Sequence, residues 1–233
     1  MKLTAEHIDR LYQFTRQHYV EWYDLQTELV DHLANAIEQQ CEENPKVSFE
    51  EALQMEFKKF GVFGFMEVVE QRQVSLNKRY NKIIWQHFKG FFSIPKIIFT
   101  SLLLVLIFFI FSKYSQEGET IFFFFFLLLT TFWIGLFYQS RRNKKQLKST
   151  GKKWLLKEII FGHSSLAGLS YIPIQFLLQV NFSDSLGIIK AVFLSLFFVS
   201  LGLFEYIILV EVPSKAEDYL KETYPEYALE NAN

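Results

Sequence analysis

The sequence predicts an all-α polytopic membrane protein, a water-soluble helical front followed by a bundle of four transmembrane helices. Three observations predict it. Residues 1–93 mix charged and apolar side chains at the three-and-four spacing of soluble amphipathic helices. From Ile94 onward come four long apolar stretches, which hold most of the 27 phenylalanines. Charge is just as uneven: residues 1–77 carry 14 Asp and Glu against 7 Lys and Arg, while the whole chain is only at −1. Such segregation assigns parts of the chain to different environments and argues against a nucleic-acid partner.

In the front domain, residues 1–77, Thr4 caps a first helix with Ile8, Leu11, Tyr12 and Tyr19 on one side. A second helix runs from about Asp24 to Glu42 and is broken by Asn44-Pro45. It contains Glu28, Asp31 and His32, residue types that ligate metals. At 100° per residue, however, Leu25, Leu29, Leu33, Ala36 and Ile37 share one arc, and Glu28, Asp31, Asn35 and Glu38 share the other. His32 falls on the border, a turn from Glu28, and Asp31 points away from it. The three do not converge, and a zinc site would need His7 or His18 from the first helix. The stretch reads as a packed helix, with no metal and no cofactor.

The third helix starts at Ser48, with Glu51 three residues on as a capping box, and ends at Lys58, Lys59 and Gly61. Its expected buried stripe is Phe49, Leu53, Phe57 and Phe60. A fourth helix, from about Gly64 toward Phe88, carries Phe65, Val68, Val69, Leu76, Tyr80, Ile83, Ile84 and Phe88 at helical spacing. Its later part, residues 78–93, holds Lys78, Arg79, Lys82, Trp85 and Lys89, with no acid. That composition suits an amphipathic juxtamembrane segment at the membrane surface. Cys41 is the only cysteine, so it forms no intrachain disulfide and reads as a small buried or half-buried thiol. No cleavable signal peptide is expected, because residues 1–93 lack a suitable apolar core.

The expected spans are Ile94–Ser112, Thr120–Ser140, Ile159–Val180 and Leu186–Val210. At about 1.5 Å per residue each can cross roughly 30 Å of hydrocarbon. The loop between spans two and three holds Arg141, Arg142, Lys144, Lys145, Lys148, Lys152, Lys153 and Lys157, whereas the outer loops hold one basic residue and none. The positive-inside rule puts the basic loop and both termini in the cytosol, as in a bacterial inner-membrane protein.

Ionisable residues inside spans are candidate sites. Lys190 lies near the outer end of span four, where its amine can extend outward. His163 and Glu205 fall at similar depth on antiparallel spans, about 9 Å from the flanking charges, and are expected to pair. Gly187, Ala191 and Ser195 on span four, and Ser164 and Gly168 on span three, allow close helix approach within the chain. The other use of that stripe is a contact with a second copy, giving a homo-oligomer. Phe122–Phe126 covers every side of its helix and reads as lipid-facing bulk. The acidic tail, residues 213–233, offers Ser214 and Glu217 as a capping box for a helix that stops before Pro225. Front domain and tail, both acidic, are expected to dock on the basic loop or to compete with lipid for it.

The stretches Glu28-Leu29-Val30-Asp31-His32-Leu33, Ser48-Phe49-Glu50-Glu51-Ala52-Leu53 and Phe60-Gly61 occur in the order found in the HAAS domains, which are related to permease prefix domains. Residues 4–75 resemble that family, although Glu21-Trp22-Tyr23-Asp24 stands where the family often has Leu-Pro. The resemblance implies a non-catalytic sensing or adaptor module. The chain shows no nucleotide loop, no G-x-S-x-G, no H-E-x-x-H and no kinase signature. The expectation is a non-enzymatic membrane adaptor whose partners are the lipid bilayer and another membrane or cytosolic protein. The alternative is a small transporter, channel or permease accessory subunit using His163 and Glu205.

Overall fold

A computed structural model describes residues 2–114, 119–162, 175 and 187–230. The described residues are helical, with no strand among them. The chain divides into two compact units, Met1–Lys78 with Ser149–Glu158, and Arg79–Lys148 with Ile159–Asn233. It therefore passes from one unit to the other three times.

The first unit contains α1 (Ala5–Gln17), α2 (Tyr23–Glu43), α3 (Phe49–Lys58) and the start of α4 (Met66–Gly90). Thr4 and Ser48 both close capping boxes, each accepting from the amide three residues on. α2 packs on α1 and α3 through Leu25, Leu29, Leu33 and Ile37, all buried. Glu28, Asp31 and His32 are exposed, and the His32 ring lies 6.1 Å edge-on from Phe60. Phe14, Phe57, Phe60 and Phe65 form an aromatic cluster with ring centroids about 5 Å to 6 Å apart. Two glycines with positive φ, Gly61 at 77° and Gly64 at 56°, turn the chain between α3 and α4. Gly64 lies so close to the cluster that a Cβ there would meet Phe57 Cζ at 2.9 Å.

Two expectations about this unit are corrected. The buried face of α3 is Ala52, Leu53 and Glu56, while Phe49, Phe57 and Phe60 are half-buried at its side. Glu56 is tolerated there because the Gln40 amide donates to it and the Lys59 ammonium lies 2.6 Å away. Tyr19 lies beyond the end of α1, with φ 65° and its side chain in solvent, so it belongs to a turn and not to the helix face.

The second unit contains the end of α4, then α5 (Lys96–Tyr114), α6 (Glu119–Thr150), the end of α7 (Leu155–Phe161) and α8 (Ile188–Tyr206). A π-helical turn, Ile207–Glu211, follows α8. Next come a short turn Val212–Ser214, α9 (Ala216–Thr223) and α10 (Pro225–Glu230). Among the described residues, three segments are long and apolar enough to cross a membrane: Lys96–Lys113, Glu119–Lys148 and Ile188–Ser214. α5 pairs with α8, and Phe111, Phe124 and Phe198 meet where α5, α6 and α8 come together, with centroids 5.3 Å to 6.3 Å apart. Elsewhere these helices expose Ile98, Phe99, Leu102, Phe123, Phe126, Ile189 and Phe193. So large an uncovered apolar surface is what a membrane protein offers to lipid.

Several expectations change here. Beyond residue 162 the expected third span lies outside the described residues, residue 175 apart. The basic loop is for the most part helix: α6 continues through Arg141, Arg142, Lys144, Lys145 and Lys148 to Thr150. Gly151 then ends it, with φ 67°. Strong helix formers fill this stretch, and Arg141 stacks its guanidinium 4.3 Å over the Phe137 ring one turn back. Within Phe122–Phe126, Phe125 is buried and Phe124 packs inward, so the run is not uniform lipid-facing bulk. In the tail, Ser214 donates to the Glu211 carbonyl and does not cap the following helix. The tail helix α9 does stop before Pro225, at Thr223, but a further helix, α10, begins at Pro225, and Tyr224 and Tyr227 are buried.

Candidate functional site

In the first unit, the segment after Gly151 is fastened to the start of α2. Trp22 supplies no side-chain cap, so the first amide of α2 needs another acceptor. The Tyr23 amide finds it in the Lys153 carbonyl, at 2.7 Å. The return contact is equivalent, because the Leu155 amide, first in α7, donates to Asp24 Oδ1 at 3.1 Å. Each helix start thus satisfies the other. Around this exchange the Trp154 ring lies edge-on to Tyr23 at 5.3 Å, and the Lys152 ammonium lies 4.1 Å over the Tyr23 ring. Lys153 pairs with Glu21 at 2.6 Å, and the Trp22 indole donates to Glu158 at 2.6 Å. The Glu21 hydrogen bond holds the Lys153 amine above its ordinary pKa. The expected docking of front domain and basic segment is therefore present at Lys152 and Lys153, but aromatic contact and backbone bonds accompany the charge.

In the second unit, the most concentrated polar site lies on the π-turn. A π-turn adds one residue to the helical circuit, which rotates all that follows by about 100°. It also displaces carbonyls from their usual partners. Gln139, only 5% exposed, donates from Nε2 to Leu209 O at 2.7 Å and to Ile208 O at 3.4 Å. Gly135, one turn earlier on α6, makes room for this approach, since a Cβ there would lie 2.5 Å from Leu209 Cδ1.

The turn presents Glu211 to two lysines and a histidine. Its Oε1 lies 3.0 Å from His87 Nδ1, 3.2 Å from Lys96 Nζ and 3.7 Å from Lys215 Nζ. His87 Nε2 is 2.7 Å from the Tyr219 hydroxyl. This network assigns the proton of a neutral His87 to Nδ1, donating to Glu211, and Nε2 accepts from Tyr219. Burial, then the charges of Glu211, Glu222 and Asp218, push the Tyr219 hydroxyl above its ordinary pKa. One carboxylate thereby ties the end of α4, the start of α5 and the tail to the end of α8. Glu211 Oε2 and Gln139 Oε1 are buried without a hydrogen-bond partner among the described residues.

The sequence-derived candidates fall elsewhere. His163, Ser164 and Gly168 lie outside the described residues. Glu205 is half-buried on α8, with Thr131 of α6 as its hydrogen-bond neighbour. Ala191 and Ser195 are buried, whereas Gly187 and Lys190 are exposed. Among the described residues no three His, Cys, Asp or Glu side chains converge on a point where a metal could sit. The Glu211 hub went unseen because His87, Lys96 and Glu211 are scattered in the sequence and a π-turn leaves no periodic signal. Gly135 and Gln139, a small and a polar residue one turn apart in an apolar helix, were the legible hint. The chain matches no family model, and neither curated proteins nor solved structures yield a match.

Proposed function

We propose that this is a non-enzymatic protein of the bacterial cytoplasmic membrane, with both termini and the Arg141–Lys157 segment in the cytosol. Its helical front domain serves as an adaptor, binding another membrane or cytosolic protein and passing that state to the membrane helices. The observation that carries this reading is the reciprocal capping of α2 and α7 through Tyr23, Asp24, Lys153 and Leu155. It makes the link between α6 and α7 a structural part of the front domain, so an event on that domain acts directly on the chain leading to the apolar helices. The HAAS-like order of signals in residues 4–75 points to the same role.

The test is affinity purification of the intact chain from native membranes, beside a Trp154→Ala variant. Wild type should retain a protein partner that the variant, with its front domain opened, holds less well. A wild-type chain that retains no protein would overturn the adaptor reading.

A further inference from the structure

The last turns of α4 offer a surface that the adaptor role does not use. From Gln71 to the end of the helix there is no acidic residue. The apolar side expected to enter the membrane is occupied within the protein, for Tyr80, Ile83 and Ile84 are buried. Beside them, Arg79 pairs with Glu222 at 3.2 Å and His87 bonds Tyr219. Among the residues that remain exposed, Lys82, Trp85 and Lys89 share one side at helical spacing.

Trp85 is held at a fixed height. Its ring stacks on Phe88 at 5.4 Å and lies nearly parallel to Phe204 of α8 at 6.4 Å, while Phe88 and Phe204 stack at 4.2 Å. Phe204 is seven residues before Glu211, about 10 Å up the apolar helix. The indole is nevertheless 50% exposed, with the Lys89 ammonium 5.7 Å from its ring. Phe92, Ile94, Ile98 and Phe99 continue the exposed apolar surface into α5. An amphipathic ring at the end of a membrane span, flanked by two exposed ammonium groups on a stretch of α4 without a carboxylate, complements a phosphate layer over hydrocarbon.

We propose that Lys82, Trp85 and Lys89 form a binding surface for the anionic phospholipid headgroups of the cytosolic leaflet. Affinity comes from charge at headgroup depth, because the apolar side of α4 is already covered and does not insert.

The experiment uses the full chain in lipid nanodiscs, with phosphatidylglycerol or phosphatidylcholine brominated on the acyl chain as the quenching lipid. A Trp85→Phe variant isolates the Trp85 signal from the other three tryptophans. Brominated phosphatidylglycerol should quench Trp85 more than brominated phosphatidylcholine at equal mole fraction. That preference should weaken about fivefold for each of Lys82→Gln and Lys89→Gln, and shrink with added salt. Equal quenching by the two lipids would overturn the proposal, as would a preference that survives the double lysine variant. Trp85 unquenched by either lipid would show that protein covers the surface, and would also overturn it.

Discussion

Replacing Trp154 with alanine should open the front domain at one defined place. The ring is 5% exposed and lies against Tyr23. Truncating a tryptophan so well packed costs about 3–5 kcal/mol. The neighbouring ion pair is a much weaker fastening: the Lys153 and Glu21 side chains are 38% and 61% exposed, and such pairs contribute about 0–1 kcal/mol. Hydrogen exchange of the intact chain reads the difference directly, because the Tyr23 and Leu155 amides bond across this contact. Trp154→Ala should speed their exchange by about a hundredfold or more, and Lys153→Ala by a few-fold at most. pH adds a check. Lys153 has a raised pKa when paired, so its contribution is complete below the ordinary lysine value and fades only as pH rises through the raised one. Across the neutral range the contact should not change. If Lys153→Ala, or high salt, released the two amides as fully as Trp154→Ala, charge and not packing would be the fastening, and the reasoning would fail.

Two further outcomes are expected. The Tyr80 hydroxyl is buried without a hydrogen-bond partner among the described residues, and burial pushes its pKa up to about 12. Tyr80→Phe should therefore stabilise the chain by about 1 kcal/mol, and a lower melting temperature would show that the hydroxyl is satisfied after all. Ser48→Ala should cost about 1 kcal/mol by removing the α3 cap, read as earlier loss of helicity in a denaturant titration. Hydrogen bonds from the Ser48 backbone and then its hydroxyl hold Glu51 below the ordinary carboxylate range. The stability that Glu51 adds is present above its unfolded pKa and lost as pH falls through the lower folded one, so acid should narrow the difference between wild type and Ser48→Ala without abolishing it, because the Ser48 hydroxyl still accepts from the Glu51 amide.

Local signals in the sequence were reliable where local physics decides. Thr4 and Ser48 begin helices because their hydroxyls reach an amide three residues on, and the leucines of α2 face inward because nothing competes with their burial. The extent of α6 was misread because a run of cations looks like a loop to a membrane-topology rule, although Lys, Arg and Gln are good helix formers and Gly151 was the true stop. The α3 face was misjudged because a buried Glu56 depends on Gln40, which the spacing of α3 alone cannot show. Glu21-Trp22-Tyr23-Asp24, noticed only as a departure from a family pattern, includes the groups that grip the distant segment at Lys152–Glu158. The hub at Glu211 was illegible for a stricter reason: the π-turn aims it, and the turn depends on Gly135 and Gln139 of another helix.

The exchange of caps between α2 and α7 also sets an order of events during synthesis. Residues 1–78 can form their three helices as soon as they leave the ribosome, but the amide at Tyr23 and the carboxylate of Asp24 must wait for Lys153 and Leu155. By the time those emerge, the whole of α5 and α6 has been synthesised. Completion of the front domain thus reports that the first two apolar helices are made, and a chain that stalls between them displays an open, protease-sensitive end.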